Sequence, residues 1–152
     1  MGCNGNEVDL IIFTSDRNGN LDLYSINPLT KEDSNLTSSS IDEFQPLISP
    51  DKSIIAFLSE ENGKTTVETL KITGESKDRI RVTQEPGNNH SHQWDPSGNR
   101  IAFLSEYNGS KTIYTTNLLD NRPIRLTTVR ADEVGQWSPN GEDLLFTVHT
   151  GN

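Results

Sequence analysis

His90 and His92 are the chain's only closely spaced histidines, and residues i and i+2 of a strand face one side. Two imidazoles so placed could share a metal ion, or work as an acid and base pair. The plainer reading makes them polar fillers, because His92 holds the place of Pro46 and Gly135 in equivalent stretches. Asp16, Asn18, Asn20 and Asp22 offer side-chain oxygens at alternate positions, as a calcium loop does. The glycine falls too early, however, and Asn27 stands where a bidentate glutamate belongs, so a hairpin tip explains the run better.

Three polar pairs recur at similar intervals: Asp42-Glu43, Asn88-Asn89 and Asp132-Glu133. Each precedes a stretch ending in a proline turn: Leu47-Ile48-Ser49-Pro50, Gln93-Trp94-Asp95-Pro96 and Gln136-Trp137-Ser138-Pro139. Gathered on one rim, these carboxylates and amides could bind a cation, a basic peptide or sugar hydroxyls. The alternative is that they satisfy backbone groups of a connecting loop. With His90 and His92 they form the candidate binding set, since loops carried by a rigid scaffold are where binding concentrates. Trp94 and Trp137 could stack on a sugar, yet Ile48 holds the same position, which favours packing. No Gly-x-Ser-x-Gly elbow and no Ser-His-Asp set occurs, so no catalytic residue is assigned and no cofactor is expected.

The elements that must carry these residues follow from a repeat. Phe13, Phe57, Phe103 and Phe146 each sit in an apolar run, spaced 44, 46 and 43 residues apart. Asn18-Gly19, Asn62-Gly63 and Asn108-Gly109 follow three of these runs. Asn-Gly tolerates positive φ at both central positions, so each pair predicts a type I′ hairpin turn. An alternating arm comes next, at Leu21 to Ile26, Thr65 to Lys71 and Lys111 to Asn117. A short third piece follows at Leu36-Thr37, Arg81-Val82-Thr83 and Arg125-Leu126-Thr127, and the proline-turn stretch completes the unit. Four short strands in about 44 residues match a β-propeller blade. The fold class is all-β, with four-stranded antiparallel blades.

The string from Phe13 to Asn27, the Phe44-Gln45-Pro46-Leu47-Ile48-Ser49-Pro50-Asp51 stretch and Gln136-Trp137-Ser138-Pro139-Asn140-Gly141 resemble the WD-repeat-like blades of TolB-type β-propellers. The resemblance implies that the Trp-Ser strand is innermost and the short third piece outermost. The chain then reads as thirteen strands, about three and a quarter blades, in repeats near 10–53, 54–100 and 101–143 with a fourth begun at 144–150. Residues 1–8 read as a flexible tether and 9–150 as a partial propeller. Propellers close with about four to eight blades. Two expectations follow: a fragment of a longer propeller, or a homodimer completing a six-bladed ring.

A net charge of −9 repels phosphate backbones, so no nucleic-acid partner is expected. No apolar run of about 18 residues exists to span a membrane as a helix. Gly2-Cys3 before the polar Asn4-Gly5-Asn6 looks like the end of a bacterial lipoprotein signal. Cys3 is then the lipidation candidate, and the protein is expected in the periplasm or at the cell surface; an incidental cysteine is the other reading. The functional expectation is a non-enzymatic module presenting loop rims to a protein or peptide. One alternative is a metal-assisted lyase or hydrolase acting on a polysaccharide through His90 and His92, which the negative charge disfavours for a polyanionic substrate. Another is the propeller portion of a larger peptidase.

Overall fold

The computed structural model describes residues 10–72, 78–83 and 87–150. Cys3 and the tether lie outside them. The described residues form thirteen strands and no helix. The first blade holds β1 (Ile11–Ser15), β2 (Asp22–Ile26) and β3 (Asp33–Asn35). In the second are β4 (Asp42–Ile48), β5 (Ile54–Glu61), β6 (Lys64–Lys71) and β7 (Arg79–Arg81). The third repeats that order with β8 (Asn88–Trp94), β9 (Arg100–Tyr107), β10 (Ser110–Asn117) and β11 (Ile124–Arg125). Last come β12 (Glu133–Trp137) and β13 (Leu144–Thr147). All pairings are antiparallel between sequence neighbours. This is the arrangement of β-propeller blades.

Alternation alone does not describe β5 and β9. Ile55 to Leu58 and Ile101 to Leu104 are buried without a break, because each central blade is covered on both faces by neighbours. Three cores result, one per blade junction. Leu23 meets Ile55, Phe57 and Leu70. Ala56, Leu58, Val67 and Val82 meet Trp94, Ile101 and Phe103. Ala102, Leu104 and Ile113 meet Ala131 and Val134. Phe57 and Phe103 thus face the blade before their own. Complete burial of such a side chain contributes about 1.5–3 kcal/mol, so stability here resides in the stacking of blades.

The hairpins refine the sequence reading. Asn62 and Gly63 have φ of 53° and 73°, and Asn108 and Gly109 have 51° and 73°, as a type I′ turn requires. At Asn18-Gly19 only the glycine is positive, with φ of 108°, and its N–H bonds the Asp16 carbonyl at 2.9 Å. The type I′ expectation fails there because six residues, 16–21, separate the strands instead of two, which relieves the tight geometry. The same segment answers the calcium-loop question. Asn20 donates to the Ile41 carbonyl at 2.9 Å, and Asp22 accepts from Asn35 at 2.7 Å and from the Ser39 N–H at 3.0 Å.

The outermost strands begin earlier than the Leu-Thr pieces suggested. They are Asp33–Asn35, Arg79–Arg81 and Ile124–Arg125. The following threonine instead closes the ladder through its side chain: Thr37, Thr83 and Thr127 each accept a backbone N–H, from Leu23, Val67 and Ile113, at 3.1 Å.

Candidate functional site

The inner strands start earlier than expected, and this relocates most of the polar candidates. Asp42, Asn88 and Glu133 are the first residues of β4, β8 and β12, not members of a preceding loop. The start of each inner strand is tied to the blade before it. Glu43 N–H bonds the Leu21 carbonyl at 2.7 Å, Asn89 Nδ2 the Thr65 carbonyl at 2.8 Å, and Ala131 N–H the Lys111 carbonyl at 3.1 Å. Asp42 adds a bond from the Leu21 N–H at 2.9 Å.

Glu43 and Asn89 occupy the same repeat position, and both are buried. Glu43 pairs with Arg79, which also bonds Glu68 at 2.5 Å. Burial would lower the Arg79 pKa, but the two carboxylates outweigh it and raise it. Asn89 donates to Thr65 and, at 3.3 and 3.4 Å, to the Thr83 hydroxyl and the Gly87 carbonyl. Its acceptor oxygen has no partner.

The remaining candidates converge. A cleft of about 610 Å³ lies between β4, β8 and β12 and is lined by His90, His92, Asp132 and Glu133, among others. His149, which sequence spacing left unconnected, lines it too. Its backbone N–H bonds Asp132 Oδ2 at 2.7 Å, and its Nδ1 lies 3.6 Å from the same oxygen. That backbone bond, joined by Arg130 at 3.1 Å, holds Asp132 below the usual carboxylate range. The signal that could have found His149 is register: Glu133 pairs with Thr147, so the two residues that follow β13 must run back beside Asp132. Asp42, Glu43, Asn88 and Asn89 are not among the cleft walls.

The two imidazoles differ sharply. His90 is exposed and its Nε2 lies 2.9 Å from Glu106 Oε2, with Lys111 at 3.8 Å from that oxygen. His92 is 5% exposed. Burial pulls its pKa down to about 4, opposed in part by the Ala56 backbone. Neither ring nitrogen reaches hydrogen-bonding geometry with any group. The i, i+2 rule fails here because a bulge between Asn89 and Ser91 interrupts the ladder at His90. Among the described residues no three His, Cys, Asp or Glu side chains are grouped to hold a metal ion. The cleft therefore offers an exposed carboxylate at Glu133, a paired one at Asp132 and a neutral buried imidazole, suited to a ligand that donates hydrogen bonds or carries positive charge.

Trp94 and Trp137 do not present a stacking platform as a pair. Trp94 is buried, while Trp137 is half-buried beneath Arg100, whose guanidinium lies 4.8 Å from its ring.

Comparison with known proteins agrees with this geometry. The chain superposes on TolB from Acinetobacter baumannii with a TM-score of 0.75 at 20% identity, over 93% of this chain and 36% of that one. For a putative TolB from Agrobacterium tumefaciens the TM-score is 0.69 at 19% identity, over 92% and 55%. An oligogalacturonate lyase in complex with manganese gives 0.64 at 18%, over 80% and 34%. The chain thus spans between about a third and just over half of these structures. No protein of curated function matches it in sequence. The family model described as the TolB beta propeller domain matches residues 35–152, most of the chain. With blades of the same strand order and a match of that extent, the chain belongs to the TolB β-propeller family.

Proposed function

We propose that the chain is a non-enzymatic binding module that offers the inner-strand cleft and its rim to a protein or peptide. The observation that carries this reading is the convergence of His90, His92, Asp132, Glu133 and His149 on one cleft between three blades. Its side chains are acidic or hydrogen-bonding and lie on rigid strands, which is what recognition of a basic or donor-rich segment asks for. Gly2-Cys3 and the polar residues after it support a place in the periplasm or at the cell surface, with Cys3 as the anchor point.

A second reading is a metal-assisted lyase or hydrolase, favoured by the three histidines sharing the cleft and by the fold shared with a manganese-bound oligogalacturonate lyase. Metal analysis of the purified protein separates the two. Stoichiometric manganese or zinc that is lost in both His90→Ala and His92→Ala would overturn the binding-module reading. The expected result is no stoichiometric metal, together with a protein partner from envelope extract that wild type retains and Glu133→Lys releases.

A further inference from the structure

The blades supply a comparison with one another. Each phenylalanine of the second strand faces a fixed partner across its hairpin: Phe13 opposite Tyr24, Phe57 opposite Glu68, Phe103 opposite Tyr114. In the first blade the Arg17 guanidinium lies over both rings, 5.6 Å from Phe13 and 4.3 Å from Tyr24, and pairs with Asp33. In the second, Arg79 lies 5.2 Å from the Phe57 ring and pairs with Glu68 and Glu43. In the third, no guanidinium among the described residues lies over Phe103 or Tyr114.

The reason is a substitution within the repeat. Arg79 stands two residues before Arg81, the partner of Glu68, and Pro123 stands two before Arg125, the partner of Tyr114. Proline cannot reach over the ring, and a cavity of about 470 Å³ remains. One wall is the stacked Phe103–Tyr114 pair, with centroids 5.9 Å apart and planes 16° apart. Ser105, Ser110 and Thr112 supply hydroxyls, and Tyr107, 56% exposed, lines it as well.

We propose that this cavity receives the guanidinium of an arginine presented by a peptide or protein. Two neighbouring blades hold that group over the equivalent ring, and an aromatic face attracts a cation. The unpartnered, buried oxygen of Asn89 stands at Glu43's position, and three neighbours of Asn89 (Thr83, Gly87 and Ser105) are walls of the cavity. Among the described residues no carboxylate lines it, and a planar, weakly hydrated guanidinium stacks on an aromatic face better than a compact ammonium does. Arg125 also lines it, with its Nε directed at the Thr127 carbonyl at 2.7 Å. A net charge of −9 draws cationic ligands toward the chain. The cavity lies on the blade face and, among the described residues, shares no wall with the inner-strand cleft, so its test is independent of the proposed function.

The test is an NMR titration of the whole chain with N-acetyl-arginine amide, N-acetyl-lysine amide and N-acetyl-norleucine amide. The arginine amide is expected to shift the amide signals of Ser105, Tyr107 and Thr112, binding about fivefold more tightly than norleucine amide. Pro123→Arg rebuilds the second blade's arrangement inside the chain and is expected to abolish the shifts. Tyr114→Leu, which keeps an apolar side chain but removes the π face, is expected to weaken binding about fivefold and carries the test if Pro123→Arg fails to fold. Absent shifts in wild type, equal binding of lysine or norleucine amide, or undiminished binding in a folded Pro123→Arg or Tyr114→Leu variant would each overturn the proposal.

Discussion

Trp94 on β8 donates its indole N–H to the Leu47 carbonyl of β4, one blade back, at 2.9 Å. The ring is 5% exposed and packs in the core between the second and third blades. Trp94→Phe keeps most of the apolar contact but leaves that carbonyl without its donor. A loss of about 1–3 kcal/mol is expected from urea unfolding, rising to about 3–5 kcal/mol for Trp94→Ala. Trp137 sits at the equivalent place with its Nε1 buried and unpaired. Trp137→Phe discards an unsatisfied donor and is expected to change stability by less than about 1 kcal/mol. Equal losses at the two sites would contradict the assignment.

Glu43 is fully buried, and its charge is tolerated because Arg79 faces it. Arg79→Ala leaves buried Glu43 without its cation and Glu68 with only Arg81, 4.0 Å away. A loss of about 3 kcal/mol is expected, because breaking one partner of a buried pair leaves an uncompensated charge. The double variant Arg79→Ala, Glu43→Gln is expected to recover part of it. Without such recovery the Glu43–Arg79 pair is not a coupled unit, which a double-mutant cycle reads directly.

The blade pattern was legible in the sequence because short-range chemistry writes it: the Phe run, the Asn-Gly tip and the Ser-Pro turn are each local. The thirteen strands of the described residues fall where the repeat puts them, with shifts of a few residues at the outermost strands and at the starts of the inner ones. The site was harder to read. Asp42, Asn88 and Glu133 look like loop residues, yet they open the inner strands, and Glu43 and Asn89 turn inward. Polar character alone cannot distinguish a rim residue from one that anchors a blade junction. His149 was out of reach for another reason: its link to Asp132 depends on strand register and not on sequence distance. The bulge at His90 likewise separates two histidines that strict alternation pairs.

His92 gives the fold a pH dependence. Its native pKa lies at about 4, below the ordinary imidazole value of 6.5, and burial is the main cause. Between those values the unfolded chain binds a proton that the native state refuses, so stability falls as pH falls from 6.5 toward 4 and is unaffected above 6.5. The difference corresponds to about 3 kcal/mol over the full window and about 2 kcal/mol by pH 5. Asp51, held low chiefly by the Ser49 hydroxyl, acts in a separate window. So does Asp95, where burial is outweighed by bonds from Arg100 and Ser97. Their contribution is present above pH 3.8 and is lost only as pH drops below it. Urea midpoints at pH 7 and pH 5 are expected to differ in wild type by the His92 amount and to lose that difference in His92→Leu. An unchanged slope in the variant would remove His92 from the account.

Lys52 occupies a turn position that the later repeats give to glycine. Its φ is 60°, matching 73° at Gly98 and 72° at Gly141. The three turns are otherwise alike: Lys52 N–H bonds the Ser49 carbonyl at 2.9 Å, Gly98 the Asp95 carbonyl at 3.0 Å, and Gly141 the Ser138 carbonyl at 2.8 Å. A left-handed conformation costs a residue with a Cβ about 1–2 kcal/mol, while glycine loses about 0.5–1 kcal/mol more backbone freedom on folding. Lys52→Gly is therefore expected to be more stable than Lys52→Ala, which equally lacks the lysine side chain's own interactions, by about 0.5–1 kcal/mol, read as a higher urea midpoint with an unchanged slope. The reverse change is not its mirror image. A Cβ on Gly98 meets Pro50 Cδ at 3.3 Å, so Gly98→Lys adds crowding between neighbouring turns to the backbone strain. It is expected to cost more than Lys52→Gly gains over Lys52→Ala; a neutral Gly98→Lys would show that these turns yield more readily than their hydrogen bonds imply.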